Sequence, residues 1–175
     1  TLVLGLSGVL LLPVLIRFRR ISSRDVAVIA GLIGSVLATN YALVWLPNIK
    51  VMDLVVFASG YTFGAPVGVL VGALTWSVYG TLNPFGFDMP TWLVTMSSEA
   101  VYGVAGGFRG RLKGRFDLAG NARGRYTRNM FEMAFWAVTL TVIYDLATNI
   151  VPALVYDIPL LPYLMAAVPF MLLHV

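Results

Sequence analysis

Charged residues and cysteine are scarce in this sequence. Only 11% of its 175 residues are charged, 59% are hydrophobic, and cysteine is absent. The absence of cysteine excludes disulfide bonds and thiol chemistry, although it does not fix a redox compartment. Average proteins carry roughly 25% charged residues, and a soluble domain of this length could not bury so much apolar surface. The composition therefore predicts an integral membrane protein.

Histidine and phosphate-binding motifs are also scarce. His174 is the only histidine, so a Ser-His-Asp set, a histidine-rich metal site and a haem ligand pair have little support. The phosphate-binding pattern GxxxxGK[ST] is missing. We therefore expect no metal and no cofactor. If the chain belongs to an ATP-driven machine, we expect a different subunit to handle the ATP.

Apolar segments fill most of the chain, and a membrane-spanning helix needs about 20 residues. The third and fourth segments are short and meet at Gly64, where Pro66 suits the first turn of a new helix. One span with a partly inserted helix is possible there, but two spans are favoured. We expect a single-domain, all-α, polytopic transmembrane bundle with six core helices and an extra leading helix. The segments cover residues 1–16, 26–46, 51–63, 64–82, 91–107, 129–151 and 160–175.

The ends of the sequence lie inside apolar runs, and Thr1 is not a methionine. We therefore interpret the chain as part of a longer protein. Residues 1–16 lack the basic region and the small-residue cleavage site of a signal peptide.

Basic residues are unevenly distributed. Eleven of the twelve lie within residues 17–24 and 109–128, and the twelfth is Lys50. The positive-inside rule places both clusters in the cytoplasm, so residues 47–50, 83–90 and 152–162 would face outward. Segment 108–128 could instead bind nucleic acid or anionic lipid, but a topology signal near lipid headgroups is the favoured interpretation. We expect a multi-pass protein of the cell membrane with no nucleic-acid partner.

Glycines recur every four residues in the middle of the chain, at Gly60, Gly64, Gly68 and Gly72. Each glycine inside a water-soluble helix costs about 0.8–1.0 kcal/mol relative to alanine. In a membrane, small residues at this spacing let helix backbones approach closely. The pattern predicts one helix-packing face.

Ionisable residues within apolar segments mark candidate sites, because each costs about 2.5–3.5 kcal/mol at a helix centre. Glu99 and Asp145 are the two clearest cases, and Trp76 lies at a similar depth on another helix. We expect an outward-opening ligand pocket. Alternatively, both carboxylates are structural and bond to neighbouring or partner helices. The predicted pocket residues are Trp76, Trp92, Thr95, Glu99, Tyr102, Tyr144, Asp145 and Asn149.

Three further features have two interpretations each. Residues 83–90, which include Asp88, form either a ligand lid or part of an interfacial aromatic belt. Lys50 and Asp53 are three residues apart, and a local pair is favoured over ligand contact. Glu132 follows Arg128 by four residues, and a structural ion pair is the simplest interpretation.

Residues 30–76 read AGLIGSVLATNYALVWLPNIKVMDLVVFASGYTFGAPVGVLVGALTW. This run resembles the substrate-binding (S) components of energy-coupling factor (ECF) transporters. The shared pattern is a first helix rich in small residues, a P-N-x-K-like loop, an apolar helix, and then F-G-x-x-x-G-x-x-x-G. The detailed resemblance covers about a quarter of the chain, and the six-helix layout extends it over most of the rest.

The resemblance implies a six-helix membrane subunit that binds a water-soluble vitamin or related micronutrient near the outer face. It also implies a transmembrane coupling subunit and two cytosolic ATPase subunits as partners. Small residues on the first helix would dock on the coupling subunit, or else pack within the bundle. Two sets have the required spacing: Ala27, Gly31 and Ser35, or Ala30, Gly34 and Ala38. The extra leading helix departs from the family layout.

We expect a binding and transport subunit rather than an enzyme. An aromatic or cationic ligand of the thiamine type would suit the predicted carboxylates and rings. The main alternative is a structural or accessory subunit of a larger membrane complex. A membrane enzyme with Glu99 and Asp145 as acid and base has less support, because the sequence supplies no nucleophile or metal site.

Overall fold

The computed structural model describes residues 22–46, 49–82, 86–113 and 122–174. Every regular element in these ranges is a helix, so the prediction of an all-α chain is confirmed. The leading helix predicted at residues 1–16 and the basic residues 17–20 lie outside the described ranges. The six described helices are α1 (Ser23–Ala42), α2 (Met52–Phe63), α3 (Ala65–Thr81), α4 (Met89–Lys113), α5 (Ala122–Val155) and α6 (Leu160–His174).

Two stretches of helix are long and apolar enough to cross a membrane. They are α1 and the Asn129–Val155 part of α5, which match the second and sixth apolar segments of the sequence. Helices α2, α3 and α6 are apolar but shorter. These findings favour membrane association.

Helix α1 begins with a capping box. The backbone N–H of Asp25 donates to the Ser22 hydroxyl, and the backbone N–H of Ser22 donates to the Asp25 carboxylate. These bonds satisfy backbone donors that the first turn of a helix leaves without partners. The helix therefore starts close to the predicted position.

Gly64 separates α2 from α3. Its φ of 97° is a conformation that residues with a Cβ rarely adopt, and Pro66 follows in the first turn of α3. The glycine repeat is consequently divided between two helices, in agreement with the two short segments predicted to meet at Gly64. Gly60 belongs to α2, Gly68 and Gly72 belong to α3, and Gly64 forms the break.

Helix α4 packs along both α2 and α3 at close backbone separation. A Cβ on Gly68 would lie 2.7 Å from the Cα of Gly103, and a Cβ on Gly103 would lie 2.5 Å from the backbone nitrogen of Val69. A Cβ on Gly60 would also collide with the backbone of Gly103. The glycine repeat therefore serves close packing, as expected, but its counterpart on α4 was not predicted. That counterpart is formed by Gly103, Gly106, Gly107 and Gly110, all close to the backbone of α2 or α3.

The remaining helices surround this three-helix centre. Helix α1 packs on α3, and α5 packs on α4. Helix α6 packs along α5, and none of its residues is buried as a whole. The largest fully buried side chains include Met52, Val56, Val71 and Glu99, which come from α2, α3 and α4.

The predicted basic loop at 108–128 is shorter than expected. Helix α4 continues to Lys113, and α5 begins at Ala122, so both ends of the basic segment are helical. The buried Arg109 guanidinium donates to both carboxylate oxygens of Glu132 and lies 5.8 Å from the ring of Tyr61. Glu132 therefore links α5 to α4. The side chain of Arg128, its predicted partner, lies outside the described part of the chain.

We predict that Gly103→Ala destabilises the protein because the added methyl group would enter the backbone of α3. Overpacking of this kind costs about 1–3 kcal/mol. Gly34→Ala is the matched control, since a Cβ there has no neighbouring atom within 4 Å. The control should keep or slightly raise the melting temperature of the purified protein. Equal melting temperatures for both variants would contradict the close approach of α4 to α3.

Candidate functional site

A cavity of about 400 Å³ lies near the end of the bundle where α2 and α4 begin. The polar part of its wall comes from the loop before α2, the start of α4 and the second half of α5. Trp76 of α3 and Tyr144 of α5 supply aromatic surface. The polar residues in this part of the wall are Lys50, Thr91, Thr95, Asp145, Thr148 and Asn149.

One face of α6 forms the opposite wall. Its contacts with the cavity recur at the three- and four-residue spacing of a single helix face. The other face is apolar and exposed, with Leu161 and Leu172 among its residues. Helix α6 therefore lies between the cavity and the surroundings of the bundle. The cavity-facing residues are Tyr163, Ala166, Ala167, Phe170, Met171 and His174.

His174 bridges two carboxylates from different helices. Its Nδ1 lies 2.8 Å from Oδ1 of Asp145 on α5, and its Nε2 lies 3.0 Å from Oδ2 of Asp53 on α2. The ring packs edge-on against Tyr144, with 5.3 Å between ring centroids. His174 has no place in the pocket predicted from sequence. Its helical spacing from Tyr163 and Phe170 is the only sequence signal that could have placed it on this wall.

Lys50 lies over aromatic rings of the site. Its Nζ is 4.9 Å from the centroid of the Trp76 ring and 5.9 Å from that of Tyr79, which are cation–π distances. Local pairing with Asp53 was the favoured interpretation from sequence. The structure keeps Asp53 close to Lys50, but Asp53 also faces His174, and the Lys50 ammonium group lies over Trp76. Lys50 is therefore part of the cavity wall.

Glu99 is the most deeply buried ionisable residue of the site, with no exposed surface. Neither of its carboxyl oxygens has a hydrogen-bond partner among the described residues. Trp76, Asp53 and Lys50 are its polar neighbours. Glu99 does not line the cavity but lies behind the wall that Trp76 forms.

Tyr102 also lies behind the wall. Its hydroxyl is 3.2 Å from that of Thr141, and its ring packs edge-on against Tyr144. It therefore supports Tyr144 and does not line the cavity. Of the eight predicted pocket residues, those that line the main cavity are Trp76, Thr95, Tyr144, Asp145 and Asn149.

A second cavity of about 330 Å³ adjoins the first and shares Trp76, Thr91 and Thr95 with it. Trp92, the remaining predicted residue, lines this second cavity and packs 6.1 Å from Phe87. Residues 86–88 contribute to its wall. Residues 83–85 lie outside the described chain.

Asp88 connects two loops at this end of the bundle. One carboxylate oxygen accepts the backbone N–H of Thr91 at 2.9 Å, which caps the start of α4. The other accepts the hydroxyl of Tyr156, from the turn that follows α5. This second bond raises the pKa of Tyr156, because the phenol donates to a negative charge. Asp88 therefore fixes both α4 and the rim of the cavities.

Comparisons with family models, curated proteins and solved structures gave no match for this chain. Among the described residues, no group of three or more His, Asp or Glu side chains could hold a metal ion. Function must therefore be inferred from the two cavities and their surroundings.

We predict that Asp88→Ala lowers stability by about 0.5–2 kcal/mol, because α4 loses its N-cap. Tyr156→Phe keeps that cap and removes only the bond between loops, so it should have a smaller effect. Denaturant unfolding of both purified variants measures the difference. A Tyr156→Phe effect as large as that of Asp88→Ala would show that the loop connection matters more than the cap.

Proposed function

We propose that this chain is the substrate-binding component of an ECF-type importer, which captures a water-soluble vitamin or related micronutrient from outside the cell. The main cavity is the observation that carries the proposal. Its volume of about 400 Å³ lies within the range of about 300–1,000 Å³ typical of small-molecule sites. Uptake would be powered by partner subunits.

The chemistry of the wall suits a small, partly aromatic ligand. Trp76 and Tyr144 offer ring faces, whereas Thr95, Asp145 and Asn149 offer polar atoms in the same cavity. Sites for small molecules combine mostly apolar walls with a few polar groups that fix orientation. The side-chain amide nitrogen of Asn149 donates to the backbone carbonyl of Asp145 at 2.7 Å. This bond holds the side-chain carbonyl oxygen of Asn149 in a fixed direction.

In the proposed arrangement, all six helices belong to a polytopic bundle in the cell membrane. Three arginines lie toward the end of the bundle that is farther from the cavity. They are Arg24 at the start of α1, and Arg109 and Arg111 near the end of α4. The positive-inside rule then assigns that end to the cytoplasm. The cavity end, where Lys50 is the basic residue of its loop, faces outward.

The small residues of α1 suit a partner helix. A Cβ on Gly31 or Gly34 would meet no atom within 4 Å, so neither glycine is needed for packing within the described bundle. Faces of this kind allow close helix association in membranes. In the proposed importer, this face docks on the transmembrane coupling subunit, which works with two cytosolic ATPases. Its exposed small residues are Ala27, Ala30, Gly31, Gly34, Ser35 and Ala38.

A structural or accessory subunit without a ligand of its own is the alternative. The same exposed face of α1 favours it, because any partner helix could pack there. Ligand binding and partner identity therefore have to be tested separately.

We predict that the purified protein binds a member of a vitamin panel and that Asp145→Asn weakens this binding at least tenfold, or about 1.4 kcal/mol. The physical reason is that the substitution removes the negative charge of Asp145 from the cavity wall. Asp157→Asn is the control, since this exposed carboxylate lies outside both cavities. Isothermal titration calorimetry gives the affinities, and mass spectrometry of co-purified small molecules guides the panel. Absence of binding by every vitamin would contradict the proposal.

We also predict that Gly34→Leu abolishes co-purification of a coupling subunit and two ATPases from native membranes. The bulky side chain would hold a partner helix away, while ligand affinity should stay unchanged. Ala134→Leu, which places the same leucine side chain on an exposed part of α5, is the control. Recovery of unrelated enzymes with the native protein would favour the accessory subunit.

A further inference from the structure

We infer that His174 occupies a subsite for a planar organic cation and that an external ligand displaces it from there. The ligand class is a positively charged nitrogen heterocycle or amidinium with N–H donors on opposite edges. This inference rests on the proposed function only in taking the main cavity as a ligand site. It adds the two carboxylates that would bind the cationic group, and a residue of the chain itself, His174, that occupies their position when no ligand is bound.

The geometry at His174 fits the charged form of the ring. Carboxylate oxygens of Asp145 and Asp53 lie 2.8 and 3.0 Å from its two nitrogens. A neutral imidazole has one donor and one acceptor nitrogen, so one carboxylate would face a lone pair. The Nδ1 contact with Asp145 is a hydrogen bond, whereas the Nε2 contact with Asp53 is a close ion pair without hydrogen-bond geometry. An imidazolium satisfies both contacts, because its charge is attracted by both carboxylates. The two carboxylates therefore form a receptor for a flat cation that donates an N–H to Asp145 and turns its positive charge toward Asp53.

The charges around the ring point to the same ligand class. Asp53 of α2 and Asp145 of α5 face the ring with their carboxylates, and Lys50 contributes one ammonium group. Glu99 of α4 and the hydroxyls of Tyr102 and Tyr144 also adjoin this cluster. If His174 leaves, Lys50 alone faces the two carboxylates of Asp53 and Asp145. A cationic ligand restores the charge that the imidazolium supplied.

His174 is placed where it can be exchanged. Its side chain is only 4% exposed, yet it belongs to α6, which packs along α5 and has no residue buried as a whole. A displacement of α6 would leave the close packing of α2, α3 and α4 unchanged, because that packing does not involve α6. A ligand ring would then take the place of the imidazole against Tyr144, with the rest of the ligand in the 400 Å³ cavity.

The first experiment follows His174 itself, because it is the only histidine of the chain. The protein is labelled with ¹⁵N-histidine and carries no histidine tag, so its ring signals come from one residue. We expect two protonated ring nitrogens near neutral pH. Saturating benzamidinium should shift both signals to values of a solvent-exposed ring, whereas benzamide, its neutral counterpart, should not. Unchanged signals with benzamidinium, or equal shifts with benzamide, would overturn the inference.

The second experiment empties the subsite by His174→Ala. Imidazole, largely protonated at about pH 6, should bind this variant at least tenfold more tightly than pyrazole, a neutral ring of the same shape. The double variant Asp145→Asn with His174→Ala should lose that preference. Equal affinity for the two rings would indicate a space of the right shape without charge selection. If His174→Ala fails to fold, the labelled wild-type protein decides.

Failure of this inference is distinguishable from failure of the proposed function. If a vitamin binds but the His174 signals do not move, the importer proposal stands and the inference of a cation subsite is wrong. If benzamidinium displaces His174 but no vitamin binds, the inference of a cation subsite stands and the importer proposal is wrong.

Discussion

The close approach of α4 to α2 and α3 is the constraint on which the site depends. Gly103 of α4 meets Gly60 and Gly68 at backbone distance, and a Cβ on Gly72 would lie 3.0 Å from the carbonyl oxygen of Glu99. This packing brings Glu99 next to Trp76 and Asp53. A side chain at any of these glycines would separate the helices and carry the carboxyl away from its neighbours.

The site combines a rigid part with an exchangeable part. Thr95 and Trp76 stand on helices held by backbone contact, and Asp88 fixes the start of α4. Helix α6, by contrast, is held along one side, where it packs against α5, and by the contacts of His174 with Asp53 and Asp145. A binding site that must both select and release a ligand benefits from this division. In the proposed importer, the fixed walls would select the ligand, and α6 would move to release it.

Sequence patterns predicted the features that have a local cause. Pro66 after Gly64 indicates a helix break, and the cost of Asp145 within an apolar helix marks it as a candidate site residue. Contacts between distant segments could not be predicted in this way. His174 meets Asp53 only because α6 folds back along the bundle, and Arg109 pairs with Glu132 across two helices. Periodicity likewise indicates which residues share a helix face, but it cannot separate the wall formed by Trp76 from the layer behind it, where Glu99 lies.

The shortness of α2 has a consequence for the membrane around the proposed bundle. Its 12 residues rise about 18 Å at 1.5 Å per residue, whereas the hydrocarbon layer of a bilayer is about 30 Å thick. Leu54 and Phe63, near its two ends, are both exposed. Lipid beside this helix must therefore thin or tilt to meet it, at a cost of fractions of a kcal/mol per Å of mismatch. The acyl-chain length of the surrounding lipids would therefore influence how α2 packs against α4.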